Sequence, residues 1–278
     1  MNDKLTIILH LTNRCNLKCS YCWSNFDENR EYQEMSAETW KSIKYTLQKY
    51  SSQRDIHILI EGGEPTLHKD LKRICYELSS YPLMVISNGI NQENILDLPT
   101  FVKIRLSYHK GYDYNKFINF ILQVKKTHYV EVVCPIDVSI LQDCINLMNF
   151  CNEHNIIYEP QPIVSNNTHK QIDYDICIEE LFHSDIKYYS KYHKDFFNKP
   201  LTTIECFTKV STNQQKKSIC MIPHFEIEAD GSVIPSCGAR FSLMRHITDK
   251  DVFAPLYICN DTSCLSKRGV CDLSGWRV

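Results

Sequence analysis

Cys15-Asn16-Leu17-Lys18-Cys19-Ser20-Tyr21-Cys22 is the stretch on which the reading of this chain turns. It places three cysteines within eight residues, directly after the apolar run Leu5 to Leu11. Such a run, emptying into a polar loop, reads as a buried strand followed by a loop at its carboxyl end. Three thiolates from one loop can hold three irons of a four-iron cluster. The fourth iron is then left without a protein ligand, whereas ordinary electron-transfer clusters have four cysteines. The competing readings are a zinc knot or incidental core thiols.

A second stretch lies about 40 residues further on, the span of one strand–helix unit plus a loop. Ile56 to Ile60 reads as a short buried strand and ends in Glu61-Gly62-Gly63-Glu64-Pro65. Paired glycines let a backbone run close to another group and adopt angles closed to other residues. The carboxylate of Glu64 can accept a hydrogen bond from an ammonium group.

The cysteine spacing, with Tyr21 in the aromatic slot before the third cysteine, resembles the signature of the radical S-adenosylmethionine (SAM) superfamily. Gly62-Gly63-Glu64-Pro65 is similar, residue for residue, to the segment that follows the second strand in that family. The resemblance implies a [4Fe-4S] cluster on Cys15, Cys19 and Cys22, with SAM chelating the open iron. It also implies that positions 62 to 65 bind the methionyl amine. One electron, from a donor such as flavodoxin or ferredoxin, then cleaves SAM to a 5′-deoxyadenosyl radical that abstracts hydrogen from substrate. The cofactor carries that chemistry and the protein positions it.

Bulk properties agree with a globular enzyme. The 278 residues are 43% hydrophobic and 23% charged, with a net charge of −2. That balance gives no reason to expect a nucleic-acid or membrane partner. Fourteen cysteines without an export signal point to metal or redox chemistry in a reducing cytoplasm, not to disulfides.

Strand and helix patterns alternate through position 163: strands at 5–11, 56–60, 83–87, 102–107, 130–138 and 156–163, with amphipathic helices between. Ser36 is placed to cap the first helix. This predicts an α/β fold with a parallel sheet, and the family resemblance specifies a partial (β/α)6 TIM-like barrel with its site at the carboxyl ends of the strands. Residues 1–165 are read as the core, 166–205 as a helical linker, and 206–278 as a cysteine-rich region containing a β-hairpin.

The hairpin is signalled by alternating residues 224–235 around Asp230-Gly231. Cys220 and Cys237 flank it, and Cys259, Cys264 and Cys271 follow. Four thiolates close an all-cysteine site for an auxiliary [4Fe-4S] cluster or for zinc. A cysteine on either side of a hairpin resembles the Twitch and SPASM extensions of radical SAM enzymes, which implies one auxiliary cluster. Which two of Cys259, Cys264 and Cys271 complete it stays open.

Further candidates lie at strand ends. Ser87 and Asn88 can bind the ribose or carboxylate of SAM, or form a plain polar turn. Ser107 and His109 share a strand face with Arg105. Ser107 is taken as a cofactor contact, and His109 as the candidate catalytic side chain. Glu159 and Gln161 share a face of the sixth strand. The expected reaction is modification of a ribosomal peptide or protein. The alternatives are oxidation or rearrangement of a small polar metabolite (a sugar, aminocyclitol or nucleotide), or a non-catalytic metal-binding module. Only fourteen residues precede Cys15, so the peptide reading calls for a separate leader-peptide-binding protein.

Overall fold

The computed structural model describes residues 4–19, 22, 32–136, 138–162, 224–235, 245–249 and 252–253. The elements run β1 (Lys4–His10), α1 (Ala37–Ser51), β2 (Asp55–Glu61), α2 (Leu71–Glu77), β3 (Leu83–Ser87), α3 (Gln92–Leu96), β4 (Lys103–Ser107), α4 (Tyr114–Lys125), β5 (Val130–Ile136), α5 (Leu141–Glu153), β6 (Ile157–Pro162), β7 (His224–Ile227), β8 (Ser232–Pro235) and β9 (Arg245–His246). They form one nine-stranded sheet in the order β6-β5-β4-β3-β2-β1-β7-β8-β9. Every pair from β6 to β7 is parallel, and β7-β8 and β8-β9 are antiparallel.

Alternation along the strands gives the sheet two different faces. Leu5, Ile7 and Leu9 of β1 share a core with Trp40, Ile43 and Leu47 of α1. Ile104 and Leu106 of β4 join Phe117, Phe120, Ile121 and Val124 of α4 in the same core. Helix α1 starts at the expected cap, where Ser36 Oγ accepts from Thr39 N, and α4 is capped by Asp113 Oδ1, which accepts from Lys116 N. Cys75, Cys134, Cys144 and Cys151 are fully buried in this layer, where a thiol acts as a small hydrophobe.

The other face is apolar only at its floor, where Ile8, Leu59 and Met84 pack together with Ile86. Across β4, β5 and β6 it becomes charged. Arg105 holds Glu131 Oε2 through Nε at 3.0 Å and Nη2 at 2.6 Å, and its Nη1 lies 3.4 Å from Glu159 Oε2. Removing one partner of a buried ion pair leaves the other uncompensated. Arg105→Met is therefore expected to lower the unfolding free energy by about 3–5 kcal/mol in urea titrations followed by circular dichroism. A loss below about 1 kcal/mol, the scale of an exposed pair, would contradict this role.

Two features depart from the sequence reading. Helix α3, between β3 and β4, is only five residues long and has no apolar stripe to mark it in the sequence. The hairpin, assigned to a separate C-terminal region, continues the sheet, because β7 pairs in parallel with β1 from Thr6↔His224 to Leu9↔Ile227. Its Phe225, Ile227 and Val233 belong to the main core, and Phe253 packs edge-on against Tyr50 of α1. Residues 166–205 of the expected linker lie outside the described residues, as do Tyr21 and Cys220, Cys237, Cys259, Cys264 and Cys271.

Candidate active site

The loop carrying Cys15, Cys19 and Cys22 leaves the carboxyl end of β1 and is closed at its base by residues 33–35. Asn13 N donates to Gln33 O, Gln33 N to Asn13 Oδ1, and Met35 N to Leu11 O. Thr12 Oγ1 accepts from Arg14 N and donates to Gln33 O. The three thiols are half-buried, unlike the four sealed in the helical layer.

The glycine turn after β2 lies directly against this loop. Gly63 N donates to Thr12 O at 2.8 Å and Glu64 N to Arg14 O at 2.7 Å. Gly62 has a φ of +123°, and a Cβ there would sit 2.6 Å from Thr12 O. A Cβ on Gly63 would overlap the Arg14 carbonyl outright. The close approach that these glycines permit is thus to the chain's own backbone.

Glu64 ties the turn to the end of β3. Its Oε1 accepts from Thr66 N (3.1 Å), Thr66 Oγ1 (2.6 Å) and Ser87 Oγ (2.8 Å), and its Oε2 from Asn88 N (2.8 Å). Each hydroxyl is committed as a donor here, because Thr66 Oγ1 accepts from Asn91 Nδ2 and Ser87 Oγ from Gly89 N. Burial pushes the Glu64 carboxyl up from its ordinary range while these four donors pull it back. A pocket made of donors has no acceptor for a carboxyl proton, so it holds the ionised form. Pro65 opens the short 3-10 turn Pro65–Leu67 that Glu64 caps.

Asn88 and His109 reach back to the cysteines. Asn88 Nδ2 donates to Asn16 Oδ1 at 2.6 Å and lies 4.0 Å from Cys15 Sγ. Its carbonyl accepts from Tyr112 OH at 2.7 Å. His109 Nδ1 lies 3.6 Å from Cys19 Sγ. Burial lowers the His109 pKa to about 4, which leaves the imidazole neutral at pH 7. Ser107 is buried on the charged face of β4, two residues before it. Gln161 belongs to β6, and Glu159 is engaged by Arg105.

This donor set fits an iron–sulfur cluster. Three accessible thiols leave one loop, and Leu17 N donates to Cys15 Sγ at 3.4 Å. Hydrogen bonds of this kind to cluster sulfurs are a lever on cluster potential. Burial foremost pushes the Cys15 thiol up to about 11, so a thiolate there needs a cation beside it.

Sequence reasoning passed over several of these groups. Asn16 and Tyr112 hold Asn88, and nothing local marks them. His10, Glu61, Glu226 and Glu228 form a charged group beside the cysteine loop. Alternation along β1, with Thr6, Ile8 and His10 on one face, is the signal that could have found His10.

Comparison with known proteins supports the same assignment. Residues 9–128 match the model of the radical SAM superfamily. The PqqA peptide cyclase of Methylorubrum extorquens is 31% identical over 84 residues, which cover 29% of this chain and 21% of that protein. The S-adenosylmethionine-dependent nucleotide dehydratase of Selenomonas ruminantium is 37% identical over 84 residues, or 29% of this chain and 28% of that protein. The chain therefore spans only about a quarter of the length of these relatives. SuiB of Streptococcus suis, solved bound to its precursor peptide SuiA, shares the fold with a TM-score of 0.63 at 14% identity, covering 96% of this chain and 71% of that one. Residues 9–128 are thus similar to the radical SAM superfamily, and the relatives matched there are enzymes.

Proposed function

We propose that this chain is a radical SAM enzyme that modifies a peptide or protein. The observation that carries the reading is the seating of the three-thiol loop on the Gly62-Gly63 turn, at the end of the sheet where both motifs converge. Cys15, Cys19 and Cys22 would hold the cluster. When bound, the cluster and SAM supply a 5′-deoxyadenosyl radical that takes a hydrogen atom from substrate.

The chain's own part is positioning. Gly63 N and Glu64 N fix the loop base, and Glu64 fixes the turn to β3. The Glu64 carboxylate is filled by its own neighbours, so amine recognition at this turn falls to backbone carbonyls of residues 62–64. Tyr21 and Ser107 remain proposed contacts to SAM, and Ser87 acts through Glu64. His109 and Asn88 lie against the cysteine sulfurs, which suits tuning of the cluster better than hydrogen transfer for His109. The parallel sheet is read as the wall of a partial barrel.

A peptide substrate is favoured by the named relatives PqqA peptide cyclase and SuiB with its precursor peptide. The small polar metabolite reading rests on the likeness to the nucleotide dehydratase. An electron donor such as flavodoxin or ferredoxin, and a leader-peptide-binding protein, are the proposed partners in the cytoplasm. Among the described residues no helix is long and apolar enough to cross a membrane.

The auxiliary cluster is a further part of this proposal. Phe225↔Pro235 pairing brings the open end of the hairpin together, and Cys220 and Cys237 lie just beyond it in sequence. That end is level with Ile7 of β1, three residues before His10. At a strand rise of about 3.3 Å per residue, it is roughly 10 Å along the sheet from the cysteine-loop end.

Anaerobically purified protein is expected to be brown and to hold about eight irons if both clusters form. With reductant and SAM it should release 5′-deoxyadenosine. The triple variant Cys15→Ala, Cys19→Ala, Cys22→Ala should keep about four irons and lose 5′-deoxyadenosine formation. Colourless protein holding only zinc would defeat the enzyme reading, and a triple variant without iron would defeat the auxiliary cluster.

A further inference from the structure

On the charged face of the sheet, three strands bring one histidine and three glutamates together at their carboxyl ends. His10 closes β1 and pairs in register with Glu61, which closes β2. Glu226 lies on β7, beside Ile8. Glu228 follows β7 and points back to the same imidazole. His10 is 9% exposed, and Glu226 is 1% exposed.

The imidazole Nδ1 lies 3.3 Å from Glu228 Oε2, in hydrogen-bonding position. Its Nε2 is sealed from solvent and makes no hydrogen bond among the described residues. Yet Glu61 Oε1 stands 3.3 Å and Glu226 Oε2 4.0 Å from that atom. His10, Glu226 and Glu228 each place a ligand atom within 4.8 Å of the others.

We propose that this group is a binding site for a divalent transition-metal ion, separate from the cysteine loop, with His10, Glu226 and Glu228 as ligands. Glu61, 3.3 Å from Nε2, stands beside the ring as an outer partner of the ligating histidine. Imidazole with carboxylates suits borderline and hard ions such as Mn2+, Fe2+ and Zn2+.

The spacing selects a small ion over an organic cation. Two ligand atoms each about 2.1 Å from one ion, at tetrahedral or octahedral angles, lie about 3.0–3.4 Å apart. The 3.3 Å between Nδ1 and Glu228 Oε2 falls in that range. Two acceptors gripping one ammonium nitrogen at about 2.8 Å each would lie about 4.6 Å apart. Three carboxylates around one buried ring also call for positive charge. A metal ion would supply that charge, and its remaining positions would take oxygen donors from water or from a bound molecule. The inference does not depend on the radical reading, since none of these four residues belongs to the cysteine loop.

The test uses the full chain after dialysis against chelator, with Mn2+ as probe and its free electron paramagnetic resonance (EPR) signal as the count. Mn2+ prefers carboxylate and imidazole to thiolate, so it avoids the cysteines. One Mn2+ per chain is expected to bind, both to the parent and to Cys15→Ser/Cys19→Ser/Cys22→Ser. His10→Gln, Glu226→Gln and Glu228→Gln should each weaken binding at least tenfold, since loss of an outer partner alone costs about 10- to 100-fold. Circular dichroism checks each variant, and where the His10 or Glu226 variant fails to fold, the half-exposed Glu228→Gln decides. The site is refuted by absence of saturable Mn2+ uptake, by uptake unchanged in the His10, Glu226 or Glu228 variants that fold, or by uptake lost with the cysteines.

Discussion

Gly63→Ala is expected to abolish iron binding at the cysteine loop and to cost at least about 3 kcal/mol of stability, the upper end for overpacking. An added Cβ would occupy the space of the Arg14 carbonyl, with Asn13 C 2.7 Å away. Those atoms are backbone, so no rotamer change relieves the overlap. The loop must lift, and it loses the Gly63 N to Thr12 O and Glu64 N to Arg14 O bonds that fix its base. Iron per chain after anaerobic reconstitution, together with a urea titration, reads both effects. Iron per chain unchanged from the parent would show that the turn does not seat the loop.

Glu64→Gln is expected to destabilise the protein by about 3–5 kcal/mol, although it changes one atom. Amide oxygen can satisfy the three donors now on Oε1, but the amide nitrogen then faces Asn88 N, a donor against a donor. One buried N–H left unpaired costs about 1–3 kcal/mol, and the three remaining bonds lose their charge assistance. Because Asn88 also bonds Asn16 in the cysteine loop, weaker SAM binding should accompany the lost stability. Urea unfolding and SAM titration measure the two. A variant as stable as the parent would mean that Glu64 is not the anchor of this turn.

Much of the molecule is legible in the sequence because local patterns carry it. Alternating strand and helix signals follow from residues such as Phe117, Phe120, Ile121 and Val124, whose spacing leaves one apolar stripe. The cap at Ser36 reads directly. Helix α3 escapes because only Ile95 of its five residues is buried, while Asn91 and Asn94 serve as donors to Thr66. The pairing of β7 with β1 is a contact across more than two hundred residues and has no local signature.

The site divides in the same way. Cysteine spacing and paired glycines are local, and both motifs stand at the carboxyl ends of β1 and β2 as expected. What the glycines approach, and which donors fill Glu64, depend on three loops meeting in space. The charged face of β4, β5 and β6 was half visible: Arg105 and Glu159 were placed on strand faces, but the meeting of Arg105 with Glu131 needs the register Arg105↔Glu131.

The most direct test of the central claim is the EPR spectrum of the anaerobically reconstituted, dithionite-reduced protein before and after addition of SAM. An iron left without a protein ligand predicts a [4Fe-4S]+ signal that SAM shifts, and that vanishes in Cys19→Ala. A signal indifferent to SAM, or a loop that holds only zinc, would contradict it.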